Sequence, residues 1–396
     1  MRHFFDPGET QAVPKSLRQF LSLNDFQPAA ERALPKPIFA YVAGGVEDNM
    51  SERANRAQFD RYGFVPRVLV DVSKRDQTVE IFGRTYAAPV GLAPMGISAM
   101  SSYRGDIVLA RAGMDANVPA IMSGSSLIRL EEVMEQAPGT WFQAYLPGDS
   151  EQIRALIDRV AAAKVQTLVL TVDTPVSANR ENNVRAGFST PLRPSLSLAY
   201  QGVTHPRWLF GNFLRTLSRH GMPHFENNYA KRGAPIVSAN VLRDFSDRGH
   251  LNWTHVAAIR RQWKGTMVIK GILSAEDAAL ARNHGMDGII VSNHGGRQLD
   301  GTVAPLIVLP EVVAAAGEMT VMLDSGIRRG TDVLKALALG AKCCFVGRPF
   351  NFAAAVAGPE GVKHAIGLIV AEVQRDMGLL GVTDLKALDA AFLRRL

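Results

Sequence analysis

A histidine and an arginine three residues apart form the part of this sequence best suited to chemistry. His294 and Arg297 follow the apolar run Ile289-Ile290-Val291, and the two glycines between them permit a tight turn. An imidazole can abstract a proton near neutral pH, and a guanidinium can hold a carboxylate beside it. The pair therefore indicates proton abstraction next to a carboxylate. The alternative is a histidine that only makes a hydrogen bond in a loop.

Charged side chains also end two other apolar runs. Asp173 could orient His294 and stabilise its protonated form, or it could cap the segment that follows. Arg180 supplies a second guanidinium shortly after Asp173. Lys270 should face an anion, because a lysine is rarely buried without a partner, although a Schiff-base lysine is the competing interpretation.

Glycines and arginines follow the last two apolar runs. They lie in Asp324-Ser325-Gly326-Ile327-Arg328 and in Val346-Gly347-Arg348. Backbone amides and arginine side chains form anion sites, and barrels commonly bind phosphate after their last two strands. The pattern therefore favours a phosphate site over simple turn glycines.

A repeated unit positions these residues, in which a short apolar run precedes a segment with helical periodicity. The runs are continuously apolar, as in parallel strands that are buried on both faces. Eight such units predict an α/β fold of the TIM (β/α)8 barrel type, with an open doubly wound sheet as the alternative. The predicted strands are Ala88–Ala93, Val118–Ser123, Trp141–Leu146, Thr167–Asp173, Met267–Gly271, Gly288–Asn293, Thr320–Asp324 and Cys343–Gly347.

Segments on either side of the repeat, and one within it, have other patterns. Residues 1–86 predict a mainly helical lead-in, with one helix that begins near Pro35 and ends near Gly44. We assign residues 87–380 to the barrel and 381–396 to a C-terminal tail. Residues 174–252 form a long insertion after the fourth strand, where a loop of a few residues is usual.

The composition is that of a globular protein, with 47% hydrophobic residues in 396 and a net charge of +7. The charge favours an anionic partner, which could be a small acid, a phosphate, a membrane surface or nucleic acid. The site residues favour the small acid, and we expect neither a nucleic-acid partner nor a metal site.

Cys343 and Cys344 are adjacent, predict no disulfide framework and fit a reducing cytoplasm. No apolar run has signal-peptide or membrane-spanning length, so we expect a cytoplasmic protein.

The chain resembles the FMN-dependent family that oxidises 2-hydroxy acids, which includes glycolate oxidase, lactate oxidase, flavocytochrome lactate dehydrogenase and the membrane-associated lactate and mandelate dehydrogenases. The resemblance covers roughly residues 30–380 and rests on Ser-Asn-His-Gly-Gly-Arg-Gln-Leu-Asp at 292–300, Asp-Ser-Gly-Ile-Arg-Arg-Gly-Thr-Asp at 324–332 and Thr-Val-Asp-Thr-Pro at 171–175. It implies FMN as cofactor, an (S)-2-hydroxy acid as substrate, a 2-oxo acid as product, and a homotetramer.

The resemblance also implies a role for each matching residue. His294 would be the base and Asp173 its partner, while Tyr145 would contact the substrate oxygen. Lys270 would lie beside the flavin pyrimidine. The substrate carboxylate would be held by Tyr41, Arg180 and Arg297. The flavin and its phosphate would be held by Ser123, Gln143, Thr171, Ser292, Asp324, Gly326, Arg328, Gly347 and Arg348.

Several positions depart from the small-substrate oxidases of this family. Gly96 is similar to the glycine of the mandelate dehydrogenases, and Ser125 and Ser177 replace a tryptophan and a leucine near the substrate side chain. These changes create room for a mandelate-like side chain unless other residues refill it. Ser325 replaces a glycine, and the sequence assigns it no consequence.

The identity of the electron acceptor and of the reaction stays open at this level. The reduced flavin would pass electrons to a quinone or another respiratory acceptor, or alternatively to oxygen with release of hydrogen peroxide. His294 would take either the α-proton, or the hydroxyl proton during hydride transfer. Competing functions are a non-redox phosphosugar isomerase or lyase with Lys270 as a Schiff base, and a flavin-binding protein without turnover.

The insertion contains a segment, residues 205–220, that interleaves apolar residues with arginines. As a helix it would carry an apolar face flanked by basic residues, which is typical of an interfacial membrane anchor. We interpret it as an anchor to the inner face of the cell membrane, with a lid or a subunit contact as the alternative. The face would consist of Phe210, Phe213, Leu214 and Leu217, flanked by Arg207, Arg215 and Arg219.

Overall fold

The computed structural model describes residues 13–237 and 248–396. The first residues of the lead-in, from which we argued against a leader segment, and part of the insertion therefore lie outside the described residues. The described strands are β1 (Tyr62–Phe64), β2 (Val79–Ile81), β3 (Arg84–Tyr86), β4 (Val90–Leu92), β5 (Ile121–Ser123), β6 (Trp141–Ala144), β7 (Thr167–Thr171), β8 (Thr266–Ile272), β9 (Gly288–Val291), β10 (Thr320–Asp324), β11 (Cys344–Val346) and β12 (Leu393–Arg395).

Helices separate the strands from β4 onward, and three further α-helices lie in the described part of the lead-in. The described α-helices are α1 (Phe26–Ala33), α2 (Lys36–Ala43), α3 (Met50–Asp60), α4 (Ser98–Ser101), α5 (Gly105–Asp115), α6 (Leu130–Gln136), α7 (Ser150–Ala162), α8 (Glu181–Arg185), α9 (Leu196–Val203), α10 (Pro206–Trp208), α11 (Arg215–His220), α12 (Trp253–Gln262), α13 (Ala275–Asn283), α14 (Pro305–Ala316), α15 (Gly330–Ala338) and α16 (Arg348–Leu380). The last is kinked at Ala357 and Gly358, whose backbone angles are not helical.

Eight parallel strands form the predicted barrel. Hydrogen-bonded neighbours follow the order β4-β11-β10-β9-β8-β7-β6-β5. A parallel bridge between Leu92 of β4 and Ala120, just before β5, brings the two outer strands together and closes the sheet. The TIM barrel is thus confirmed, and the closure argues against the open doubly wound sheet.

Two apolar layers explain why the strand sequences are continuously hydrophobic. One layer fills the barrel, and it includes Val169, Val268 and Ile290 from three successive strands. The other lies between the strands and the surrounding helices. The adjacent cysteines point to opposite layers, Cys343 into the barrel and Cys344 toward the helices, as side chains that alternate along a strand must.

The lead-in is helical through α1 to α3, and α2 runs between Pro35 and Gly44 as predicted. It also contains a hairpin of β2 and β3 that the sequence analysis missed. Phe82 at its turn lies 5.6 Å from the ring of Trp141, so the hairpin packs against the barrel interior. At the chain's other end β12 pairs with β1, which attaches the C-terminal residues to the lead-in.

The insertion contains α8 to α11, and a π-helical turn over Leu209–Leu214 joins the last two. Trp208 anchors this segment, because its indole donates a hydrogen bond to the Met100 carbonyl over 2.6 Å. The wider π-helical turn directs Phe213 onto Trp208, 5.4 Å between ring centres, and leaves Phe210 outside. The prediction of one shared apolar face is therefore wrong for Phe213. In the described residues no helix has the length and hydrophobicity needed to cross a membrane.

Candidate active site

Three predicted catalytic side chains meet at the carboxyl ends of β6, β7 and β9. His294 Nδ1 lies 2.9 Å from Asp173 Oδ1. On the other side of the ring, His294 Nε2 lies 3.4 Å from the Tyr145 hydroxyl. The imidazole is thereby held between a carboxylate and a phenol, with its Nε2 edge toward the cavity that the barrel mouth encloses.

Backbone geometry after β9 sets the position of His294. The residue adopts a left-handed conformation with φ of 59°, and its amide donates to the Ser292 hydroxyl over 2.9 Å. Asn293 and Asn55 of α3 exchange two side-chain hydrogen bonds of 2.8 Å, which fix this loop against the lead-in. Sequence reasoning missed Asn55, because nothing local marks a residue so distant in the chain.

The surroundings favour a neutral imidazole beside an ionised carboxylate. Burial lowers the pKa of His294 below 6.5, with help from the cations Lys270 and Arg180 and against the opposite effect of Asp173. Burial alone would raise the pKa of Asp173, but His294 and Lys270 outweigh it and the pKa is lowered. A neutral imidazole with an adjacent carboxylate is able to accept a proton and to be stabilised once it has done so.

Lys270 is a buried cation with two fixed partners. Its Nζ lies 3.0 Å from Asp324 Oδ2 and 2.8 Å from the Ser292 hydroxyl. Burial alone would lower its pKa, but Asp324 and Asp173 raise it above the ordinary value. A Schiff-base lysine needs the opposite shift, toward the free amine. The ion pair therefore favours an electrostatic role for Lys270.

Ser325 has a structural role that the sequence did not suggest. Its hydroxyl donates to Asp324 Oδ1 over 2.8 Å and accepts from the Gly295 amide over 3.0 Å. These bonds link the partner of Lys270 to the loop that carries His294. The residue has a φ of 83°, a conformation that favours glycine. The replacement of a glycine by Ser325 can be recognised from the sequence, but its contacts with Asp324 and Gly295 depend on the fold.

The two predicted clamp arginines are adjacent. Arg180 Nε donates to the Arg297 carbonyl over 3.2 Å, and a second nitrogen of Arg180 donates to Gln298 Oε1 over 2.8 Å. Arg297 is held by backbone carbonyls at the end of α2, including that of Tyr41 at 2.6 Å. Burial, with the charge of Arg180, lowers the pKa of Arg297 to about 9. Like charges kept together beside a cavity stabilise a bound anion.

The flavin-contact residues present buried polar atoms without protein partners. Gln143 Nε2, Thr171 Oγ1 and Arg348 Nε have no hydrogen-bond partner in the described structure. Gln143 is itself fixed, because its Oε1 accepts from the Ser123 hydroxyl over 3.2 Å. Buried polar groups are normally satisfied, so these atoms fit a ligand with several hydrogen-bonding positions, as a flavin ring has. The cavity measures about 690 Å³.

The predicted phosphate residues lie together after β10 and β11. Burial lowers the pKa of Arg328 to about 10, and the nearby charge of Arg348 adds to this effect. Gly326 adopts a φ of 89°, and a side chain there would overlap the Asn55 carbonyl. Gly347 immediately precedes the first residue of α16. Paired guanidinium groups beside a helix N-terminus form an anion site of the kind barrels use for phosphate.

Gly96, Ser125 and Ser177, the three residues predicted to create space, all line the cavity. A Cβ atom added to Gly96 would lie 2.8 Å from the Tyr41 hydroxyl and 3.2 Å from the Ser125 Cβ. Ser177 lies on the cavity wall and is exposed. The Phe188 ring packs at a tilt against Tyr41, 4.6 Å between ring centres, and also lines the cavity. The Tyr41 hydroxyl and Ser125 therefore lie against Gly96 and occupy part of the space that the glycine leaves.

A closed βα barrel with a histidine base, an arginine pair and a phosphate site defines a class of flavin oxidoreductases. Comparison with known proteins identifies the family within this class. The sequence profile described as FMN-dependent dehydrogenase matches residues 30–395, and the chain belongs to this family. FMN is therefore its cofactor.

Relatives and a solved structure support the assignment over nearly the whole chain. The chain is 34% identical over 378 residues to the (S)-mandelate dehydrogenase of Pseudomonas putida, covering 95% of this chain and 94% of that protein. It is 40% identical over 367 residues to the L-lactate dehydrogenase of Ectopseudomonas mendocina, covering 90% and 94%. A crystal structure of the monotopic membrane protein (S)-mandelate dehydrogenase superposes with a TM-score of 0.87 at 33% identity, covering 96% of this chain and all of that one.

Proposed function

We propose that the protein oxidises an (S)-2-hydroxy acid to the 2-oxo acid. The observation that carries the proposal is the chain of side-chain contacts from Asp173 through His294 to Tyr145. These side chains lie beside Arg180 and Arg297 in the cavity. The arginines supply two forked donors for the substrate carboxylate. That anchorage would place the adjacent C2 carbon and its hydroxyl against the imidazole.

The side chains divide the chemistry between them. The reaction removes two electrons and two protons from the C2 carbon and its hydroxyl, and His294 accepts one of the protons. FMN, when bound in the cavity, would supply the acceptor for the two electrons and the other proton. Asp173 stabilises the imidazolium that results. Tyr145, whose pKa burial raises to about 12, stays protonated and donates a hydrogen bond to the substrate oxygen.

The remaining predicted residues hold the cofactor in this proposal. Lys270, paired with Asp324, would place a fixed positive charge beside the flavin ring and favour its negative reduced form. The ring would contact Ser123, Gln143, Thr171 and Ser292, and the phosphate would lie among Gly326, Arg328, Gly347 and Arg348.

Anaerobic bleaching of the flavin tests this function directly. The purified yellow protein should lose its visible flavin absorbance on addition of (S)-mandelate, L-lactate or glycolate. Because Gly96, Ser125 and Ser177 are small residues that line the cavity, mandelate should give a higher kcat/KM than glycolate. A flavin that none of these acids bleaches would contradict the function, and faster turnover of glycolate would contradict the wide pocket.

We further propose that the electrons pass to a quinone or another respiratory acceptor at the cytoplasmic surface of the cell membrane. Exposed apolar side chains of the insertion support membrane contact, notably Phe210 at 67% and Tyr200 at 66% exposure. The solved mandelate dehydrogenase described as monotopic is a second support. Steady-state oxidation of substrate should then be fast with a quinone analogue and slow with oxygen alone. Rapid peroxide release without a quinone would favour the oxidase alternative instead.

A further inference from the structure

Arg248 is a cation in the catalytic cavity that the proposed reaction does not use. Its guanidinium carbon lies 5.0 Å from the centre of the Tyr145 ring. It lines the same cavity as Ser125 and Phe225. The side chain is partly buried, and burial lowers its pKa from the ordinary value. Removing a charge from water costs free energy unless an opposite charge compensates.

The other cations of the cavity each have an anionic partner in the structure or in the proposed function. These matches are Lys270 to Asp324, Arg180 and Arg297 to the substrate carboxylate, and Arg328 and Arg348 to the phosphate. Among residues 13–237 and 248–396, no carboxylate forms an ion pair with Arg248. The groups that act on its charge there are the phenols of Tyr145 and Tyr229. A neutral phenol does not compensate a guanidinium, so the counter-charge is missing from the described cavity.

We propose that Arg248 binds an anionic group at the far end of the substrate side chain, so that the enzyme prefers 2-hydroxy acids that carry a second carboxylate. The inference rests on the proposed function, because that function orients the substrate. Tyr145 connects the two ends of the site: its hydroxyl contacts His294, and its ring lies beside Arg248. A short side chain attached to the reacting carbon would therefore extend along the tyrosine toward the guanidinium.

Small residues line the cavity that Tyr145 and Arg248 share. Gly96 has no side chain, and Ser125 has only a hydroxymethyl group. A guanidinium also stacks on aromatic rings. An aromatic substrate ring in contact with Arg248 is thus the competing explanation, and the experiment separates it from anion binding.

The test measures binding of reaction products, which needs no turnover. Isothermal titration of the holoenzyme would compare 2-oxoglutarate with its neutral analogue 2-oxohexanoate and with phenylglyoxylate. Arg248→Met should weaken 2-oxoglutarate binding by at least about tenfold and change the other two by less than about twofold. Arg248→Lys, which keeps the charge, should restore part of the loss. Arg185→Met removes an exposed arginine outside the cavity and should leave all three affinities unchanged.

Each other result overturns the proposal. Unchanged binding of 2-oxoglutarate in Arg248→Met, or equal losses for charged and neutral acids, removes the anion site. A loss confined to phenylglyoxylate assigns Arg248 to ring stacking and likewise overturns it.

Parallel flavin reduction by (S)-2-hydroxyglutarate and (S)-mandelate separates this inference from the function on which it rests. If neither acid reduces the flavin while Arg248-dependent binding of 2-oxoglutarate persists, the proposed function fails and the anion site stands. If both acids reduce the flavin but Arg248→Met changes the two reduction rates by the same factor, the function stands and the anion site fails.

Discussion

At the residue scale, the geometry gives His294 a task that no neighbouring side chain can take over. Lys270 is charged and paired, Tyr145 has a raised pKa, and Asp173 is ionised against the imidazole. His294→Ala should therefore slow flavin reduction by roughly 10²- to 10⁴-fold, measured by anaerobic stopped flow. Flavin content and Tm should match those of the wild type. Near-normal flavin reduction in the variant would contradict the assignment of His294 as the base.

The pH dependence of reduction follows from the lowered pKa of His294. The base acts only when neutral, so kred/Kd should be constant around neutral pH and fall as the pH drops through that pKa, below 6.5. Asp173 raises the pKa of His294, so Asp173→Asn should move the fall to still lower pH. The plateau rate should also drop, because the imidazolium loses its counter-ion. A fall that moves upward in Asp173→Asn contradicts the coupling.

The carboxylate clamp is best tested at Arg180. Arg297 also holds three carbonyls around the end of α2, so changing it disturbs the lead-in as well. Arg180→Lys keeps the charge but loses the fork of donors, and kred/Kd should fall by about tenfold or more. The matched change Arg185→Lys lies outside the cavity and should have no effect. Wild-type kinetics in Arg180→Lys would place the substrate carboxylate elsewhere.

How far the sequence predicts this site depends on where the contacts come from. His294, Arg297 and Lys270 could be found because each lies at or just beyond the carboxyl end of an apolar run, where chemistry is expected in a barrel. Asn55 and Ser325 could not, because their roles depend on loops that only the folded chain brings together. No local sequence pattern marks Arg248 as a site residue either. Its place in the site is known only from its contact with the Tyr145 ring.

At the scale of elements, apolar runs predicted the eight strands because parallel strands in a barrel are buried on both sides. The β2–β3 hairpin was missed, although Val79-Glu80-Ile81 and Arg84-Thr85-Tyr86 flank a Phe-Gly turn. Strands of three residues are too short for periodicity to reveal. The pairing of β1 with β12 joins residues from opposite ends of the chain, and no local pattern encodes such a contact.

The segment from α10 to α11 in the insertion has one side packed on the barrel and one side exposed. A test of the membrane anchor should therefore change only the exposed side. Trp208 and Asn212 both bind the Met100 carbonyl, so removing the whole segment would uncover the barrel surface beneath it. Phe210 and Leu214 are exposed at 67% and 39%. Replacing both with Asp should abolish sedimentation with anionic vesicles at low salt while flavin reduction continues.

A control for the anchor comes from another exposed leucine. Leu379 on α16 is 69% exposed, and Leu379→Asp should leave sedimentation intact. Arg215 contributes less to headgroup binding than its sequence position suggests, because its guanidinium lies 3.9 Å from the Tyr103 ring centre. If the intact protein does not sediment with these vesicles at all, the lid interpretation replaces the anchor.

At the scale of the whole molecule, a second apolar surface lies in the lead-in rather than in the insertion. Val68 is 81% exposed and Leu69 fully so, with Val65 and Val70 partly exposed beside them. Contiguous exposed apolar residues on a protein surface mark contact sites. We propose that the protein forms a homo-oligomer, a tetramer by family resemblance, and that this surface is the contact between its subunits.

The two apolar surfaces should therefore be separable by mutation. Leu69→Asp should lower the mass measured by light scattering toward that of one chain, because a buried charge disrupts a symmetric contact twice. Its monomeric form should still contact vesicles through Phe210. Phe210→Asp should do the reverse, keeping the oligomer while weakening vesicle binding, since its side chain lies on the insertion. Loss of both properties in either variant would show that one surface serves both contacts, and an unchanged mass in Leu69→Asp would place the subunit contact elsewhere.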